Sequence, residues 1–373
     1  MKKRSEESRK RLKKLWILLL LTCILAILST YAWFSTQRAV EITGLNVNVD
    51  VAESMQISLD GENWTQSIAI TDMNQLLGTA SGDVYQANPD EHNNYVPTEL
   101  VPVSTIGRVK TGVLQMVYGT IRDNKILENI QHCSEENLDT AHNSEHPYLV
   151  FDLYLRNTSG TTPGTLDTIQ LDAGSSVWAS TAGVGLPESA RVAFVAYNTN
   201  SQNVGLTADG TTIRTIEGTD GDPIAIWEPN FNNHTQYVVD NDPANRIPAL
   251  NTVYNTLAIN DSVSASSTIN DVTVTSANDQ LVQVFTNKIA ETNRGVGAGS
   301  DRQAKETAAA SNLKLTDGST DFGIYPNTIT KVRVYIWLEG QDPDCIDLAS
   351  TGEMLNADIK LVIPVEVDSP DGP

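Results

Sequence analysis

The sequence predicts a mainly β chain, a β-sandwich with long loop insertions and a few short helices, preceded by one N-terminal apolar helix. Three observations carry this reading. Short segments of four to eleven residues read as strands, the first of them alternating apolar and polar side chains with period two as half-buried strands do. The spacers between them are rich in Asn, Thr, Gly and Ser, the residues of turns and surface loops. Strands and helices do not alternate along the chain, which argues against a doubly wound parallel sheet.

The N-terminal helix comes first. Residues 1–14 form a basic head: Lys2, Lys3, Arg4, Arg9, Lys10, Arg11, Lys13 and Lys14 stand against only Glu6 and Glu7. Residues 15–34 carry no charge, and about 20 apolar residues match a hydrocarbon core of roughly 30 Å. The positive-inside bias keeps the head in the cytoplasm and places residues 35–373 outside the membrane. The run reads in two ways. Thr30-Tyr31-Ala32 is small at both specificity positions of a signal peptidase site, with Trp33 as the new N-terminus. The run is also long enough to remain as an uncleaved anchor. Cys23 lies within the apolar run, and the larger Thr22 before it does not suit lipidation.

The head carries +6, so the formal charge of −21 for the whole chain leaves −27 beyond it. That field excludes nucleic acid and anionic lipid as partners of the outer part. Beyond the membrane run only Cys133 and Cys345 remain. In an oxidising compartment they form one long-range disulfide or stay as two thiols, and they are too few to build a disulfide fold.

In the outer part, residues 41–51 read as the first strand, with Ile42, Leu45, Val47, Val49 and Val51 apolar and Gly44 breaking the period as a bulge or hinge. Residues 56–59 follow, then the Asp60-Gly61 hairpin signal. Later strands are expected at 148–155, 191–197, 211–216, 236–239, 271–275, 331–338 and 357–367. Those at 148–155 and 331–338 are the most apolar and are expected at the centre of the core. Helices are expected at 279–292 and 301–312, with a further helical turn at 71–77. The loop-rich stretch 158–320 is a candidate insertion or second β-subdomain.

The sharpest chemical motif is His142-Asn143-Ser144-Glu145-His146, which fits the H-x-x-E-H spacing of inverted zinc peptidases. That chemistry needs both histidines on one helical face. Pro147 and a strand follow at once, so an exposed polar loop is the simpler reading. His132 and Cys133 lie upstream and keep His142, Glu145 and His146 as weak zinc candidates. Three acidic groups are weak calcium candidates: Glu217, Asp220 and Asp222; Asp240 and Asp242; and Glu339, Asp342, Asp344 and Asp347. None has EF-hand spacing. No G-x-S-x-G elbow, Walker loop or dinucleotide fingerprint occurs, so neither an enzyme nor a resident cofactor is expected. The C-terminus ends without an apolar tail, so attachment to a surface is expected from the N-terminal segment or from assembly.

The segment Leu28-Ser29-Thr30-Tyr31-Ala32-Trp33-Phe34-Ser35, followed at once by a strand, resembles the export segment of the TasA and camelysin group of Gram-positive surface proteins, which are processed by a SipW-type signal peptidase. Phe151-Asp152-Leu153-Tyr154-Leu155-Arg156-Asn157-Thr158-Ser159-Gly160 is similar to that group's apolar strand ending in an Asn-containing turn. The segment Val334-Tyr335-Ile336-Trp337-Leu338-Glu339-Gly340-Gln341-Asp342-Pro343-Asp344-Cys345 resembles one found in clostridial relatives. The likeness covers the first 50 residues and scattered strands, about a third of the chain, and this chain is longer than the usual members.

The resemblance implies a jelly-roll-like sandwich whose N-terminal strand leaves its own body and inserts into the next subunit by β-augmentation. Such head-to-tail contacts propagate as a filament. The chain is then a cell-surface or extracellular fibre, matrix or pilus-like subunit. Its partners are other copies or related subunits, the signal peptidase, and the membrane before cleavage. The candidate donor runs from Val40 to Val51, with Ile42, Leu45, Val47, Val49 and Val51 as its plugs; the alternative is that this strand simply pairs within its own sheet. A monomeric adhesin held by an uncleaved helix is the alternative. Camelysin is classed as a metallopeptidase, which makes His142, Glu145 and His146 candidates for that activity, though the Pro147 context argues against the helix it needs.

Overall fold

Period-two alternation gives a strand two faces, and in this chain the longest strands bury both. The computed structural model describes residues 14, 42–69, 84–86, 94–97, 100–121, 127–133, 148–158, 165–172, 174–179, 186–197, 204–229, 257–260, 267–269, 272–274, 282–287, 311–315, 320–340, 345 and 353–363. The chain divides into Met1–Ala39 and Val40–Pro373, and every described strand belongs to the second unit. Among the described residues no helix is long and apolar enough to cross a membrane; residues 15–34 lie outside them.

The second unit is mainly β. In chain order its strands begin with β1 (Ile42–Val51), β2 (Met55–Ser58), β3 (Ser67–Ala69), β4 (Val84–Gln86), β5 (Asn94–Val96), β6 (Ser104–Lys110), β7 (Val113–Ile121), β8 (Leu127–His132) and β9 (Leu149–Asn157). Then come β10 (Asp167–Thr168), β11 (Gln170–Leu171), β12 (Ser176–Ala179), the helical turn α1 (Leu186–Ser189), β13 (Ala190–Ala196), β14 (Val204–Gly205), α2 (Gly210–Arg214) and β15 (Ile224–Trp227). The last are β16 (Leu257–Asn260), β17 (Ser267–Ile269), β18 (Val272–Val274), β19 (Val282–Asn287), β20 (Ser311–Asn312), β21 (Gly323–Ile324), β22 (Thr328–Leu338) and β23 (Glu353–Val362).

Two large sheets face each other. One runs β20-β11-β23-β1-β3, with β12 also on β23; the other runs β15-β13-β22-β9-β5-β4, with β14 also on β22 and β2 on β9. A single hydrophobic cluster draws Val47, Val49, Leu355 and Ile359 from the first sheet and Leu153, Phe194, Val334 and Ile336 from the second. The opposite face of the second sheet carries Tyr148, Val150, Val195, Tyr335 and Trp337, which pack with Val109, Leu114 and Met116 of the small β6-β7-β8 sheet. Because β9 and β22 are covered on both faces, they read as the most apolar segments, as expected of them.

Two expectations fail. Residues 211–216 are not a strand: α2 spans Gly210–Arg214, with Asp209 as its N-cap accepting from the Thr212 N–H at 2.8 Å. The cap satisfies an N–H that a β reading would leave for a ladder, and Ile213 is buried in the second cluster. Within 279–292 the structure has strand, not helix: β19 pairs antiparallel with β16. Val282, Val284, Phe285 and Thr286 are β-branched or aromatic, and that strand preference outweighed the helical pattern. Of 301–312, only Ser311–Asn312 is described as structure, and it is a strand. Residues 71–77 and 236–239 lie outside the described residues. Strands of the 158–320 stretch join both large sheets: β11 and β12 lie on β23, and β13 and β15 continue from β22.

Candidate functional site

The first strand of the folded unit is also an interior strand. β1 pairs in parallel with β23 from Ile42↔Glu353 to Val51↔Leu361, and antiparallel with β3 over Asn48–Asp50. The register shifts between Ile42 and Gly44, which places the expected bulge at Gly44. Val47 and Val49 are 0% and 1% exposed in the shared core; Asn46, Asn48 and Asp50 point the other way and are half-buried. Val51 is half-buried and packs on the same cluster. Ile42 and Leu45 lie within β1, opposite Glu353 and Leu355.

A parallel pair has no hairpin to close it, and these partners lie near opposite ends of the folded unit's sequence. Only residues 52–54 join β1 to β2, with the Met55 N–H donating to the Ala52 carbonyl at 2.9 Å. Burial of Val47 and Val49 alone stabilises the strand by roughly 1.5–3 kcal/mol each. β1 thus fills a slot between β3 and β23.

A second arrangement lies on the far face of the central sheet. Asp152 accepts from Arg333 Nη1 at 2.6 Å and pairs with Lys331 Nζ at 3.1 Å, all three side chains being at most 2% exposed. Asp152 and Arg333 stand directly opposite in the β9–β22 register. Arg191 Nη2 meets Glu228 Oε1 at 2.7 Å, both fully buried. Arg333 Nε donates to the Tyr335 hydroxyl, which also accepts from the Leu114 N–H of the covering sheet. Lys331 lies 5.2 Å from the Tyr197 ring centroid, and the Tyr197 hydroxyl donates to the Gly112 carbonyl at 2.7 Å. The Tyr335 and Tyr197 hydroxyls join the small sheet to the large one, and Arg333 and Lys331 lie against those two side chains. In the sequence Lys331 and Arg333 alternate with Val332 and Val334 as residues on a solvent-facing side of a strand would, so nothing local marks them as buried.

Among the described acidic residues, Asp220 and Asp222 serve a turn. Asp220 accepts from the Thr111 N–H at 2.6 Å, and Asp222 accepts from the Thr219 N–H and hydroxyl at 2.7 Å. Together they fasten the 218–222 loop to the β6–β7 turn, where Thr111 and Gly112 have positive φ. Glu339 is buried and accepts from the Trp337 indole N–H at 3.3 Å. Asp60 closes the turn after β2. Burial pushes its carboxyl up, but the N–H groups of Asn63 and Glu62 with the side chains of Asn63 and Ser58 outweigh that and bring it to about 2. Hydrogen bonds from the Thr211 hydroxyl and the Thr212 N–H bring the exposed Asp209 to about 2. Among the described residues no group of three or more His, Cys, Asp or Glu is placed to hold a metal.

His142, Glu145, His146, Thr30, Ala32 and Trp33 lie outside the described residues, as do Asp240, Asp242, Asp342, Asp344 and Asp347. Cys133 packs on the second cluster and Cys345 in the first, so they belong to opposite faces of the central sheet. Comparison with known proteins gave no matching family model, no matching curated protein and no matching solved structure.

Proposed function

We propose that this chain is an exported structural subunit of a cell-surface fibre, matrix or pilus-like assembly that polymerises through β1. The observation that carries the reading is the position of β1. The segment that opens the folded unit fills the slot between β3 and β23, and only residues 52–54 join it to β2. A second copy offers the same slot and the same segment, so exchange of β1 between copies repeats every contact and leaves the next slot open. In this reading the facing sheets are a jelly-roll-like sandwich, and the basic head with its apolar run exports the chain. Cleavage after Ala32 then frees Trp33 and the strand beyond it.

The full-length β1–β23 register within one chain also suits a monomeric adhesin or binding module held by an uncleaved helix. N-terminal sequencing and sizing of the protein taken from the cell surface separates the two. High-molecular-weight material beginning near Trp33 supports the fibre subunit. Detergent-extracted monomer with Met1 intact supports the anchored module and overturns the fibre reading.

A further inference from the structure

We infer that the polar face of β1 is a register code, with Asn48 against Asp358 as its principal rung, so that the slot beside β23 accepts β1 of a second copy of this chain in one register. This rests on the proposed exchange of β1. The apolar face cannot by itself define the register. A slip by one residue would turn Val47 and Val49 away from the core and is forbidden by burial. A slip by two keeps the apolar face inward, and only the other face can oppose it.

That face is matched rung by rung. Asn46 stands opposite Asn356, Asn48 opposite Asp358, and Asp50 opposite Lys360. Asn48 Nδ2 donates to Asp358 Oδ1 at 2.9 Å. On the other side of Asp358, in the β12–β23 register, stands the fully buried Ser176. A two-residue slip in one direction brings Asp50 opposite Asp358, carboxylate against carboxylate. The opposite slip brings Asp50 opposite Val362 and carries the Gly44 bulge to Asn356, inside the ladder. The first slip takes the Asn48 amide from Asp358, and a charge-assisted hydrogen bond is among the stronger polar contacts. The second puts Asn46 opposite Asp358 and is opposed instead by the lost Asp50–Lys360 rung and the displaced bulge. An incoming strand with the right apolar spacing and the wrong polar face is therefore rejected.

The test uses the mature protein with Asn48→Asp, with Asp358→Asn, and with both substitutions, each assayed for pelletable assembly against concentration. Asn48→Asp opposes two carboxylates and is expected to require a roughly tenfold higher concentration to assemble. The double variant, and an equimolar mixture of the two single variants, are expected to assemble like wild type, because every donor in the mixture finds a matching acceptor. If Asn48→Asp assembles like wild type, the rung does not set the register and the inference fails while exchange of β1 stands. If Asn48→Asp is impaired and the mixture does not recover, the contact acts only within one chain and the inference also fails. If wild type stays monomeric at every concentration, the polymerisation reading fails and takes the inference with it.

Discussion

Replacing Asp152 by Asn tests how the three layers are held together. The substitution keeps the shape of the side chain and removes one negative charge from between two buried cations. Arg333 at 2.6 Å and Lys331 at 3.1 Å share this carboxylate, and none of the three side chains is more than 2% exposed. Removing one partner from a buried ion pair costs about 3–5 kcal/mol, because the remaining charge keeps its desolvation penalty. Arg333 also holds the Tyr335 hydroxyl that accepts from Leu114 of the covering sheet, so part of the loss is expected at that contact. Against a total stability of roughly 5–15 kcal/mol, that is between about a fifth and all of the margin. Urea unfolding of residues 35–373, monitored by Trp fluorescence, reads the midpoint and slope. A midpoint shift worth about 3 kcal/mol or more at unchanged slope is the expected result. A shift below about 1 kcal/mol would refute the claim that these charges are desolvated and mutually dependent.

Three further perturbations probe other parts of the same structure. A Cβ at Gly112 would lie 2.7 Å from both the Gly218 Cα and the Tyr197 hydroxyl, at a φ of +78°; Gly112→Ala is expected to cost about 2 kcal/mol or more in thermal or urea unfolding. Asp60 and Asp209 have folded values near 2, below the ordinary 3.8. Their contribution is complete above the unfolded value and is lost as pH falls through the folded one. Stability is therefore expected to decline between about pH 4 and pH 2, with Asp60→Asn flattening that decline. Replacing His142 and His146 together by Ala is expected to leave the unfolding midpoint and the assembly threshold unchanged; loss of bound zinc and of proteolysis in that variant would restore the peptidase reading.

The strands that bury two faces were legible from sequence because their apolar runs are long, as at 148–155 and 331–338. The first strand was legible from its strict alternation, and Gly44 from the break in it. What escaped were features that depend on neighbours distant in sequence. The β6-β7-β8 sheet has weak local alternation and is held by Leu114, Tyr197 and Tyr335 acting across the layers. The buried ion pairs were hidden because Lys331, Arg333 and Asp152 in an apolar strand look like ordinary solvent-facing residues until a second sheet covers them. The short helix at Gly210–Arg214 was missed because Thr-Thr-Ile has strand propensity, and the Asp209 cap overrides it. The candidate slot was legible only in half. The alternation named the plug, Val47 and Val49, whereas no sequence pattern named β23, at the far end of the chain, as its parallel partner.

The most direct test of the central claim is to delete residues 40–51 from the mature protein and monitor assembly by sedimentation and electron microscopy across concentration. Exchange of β1 requires that fibres vanish while the remainder stays soluble with an open edge on β23, and that a synthetic peptide of residues 42–51 binds it. Fibres that still form without the strand would mean that β1 is not the segment exchanged.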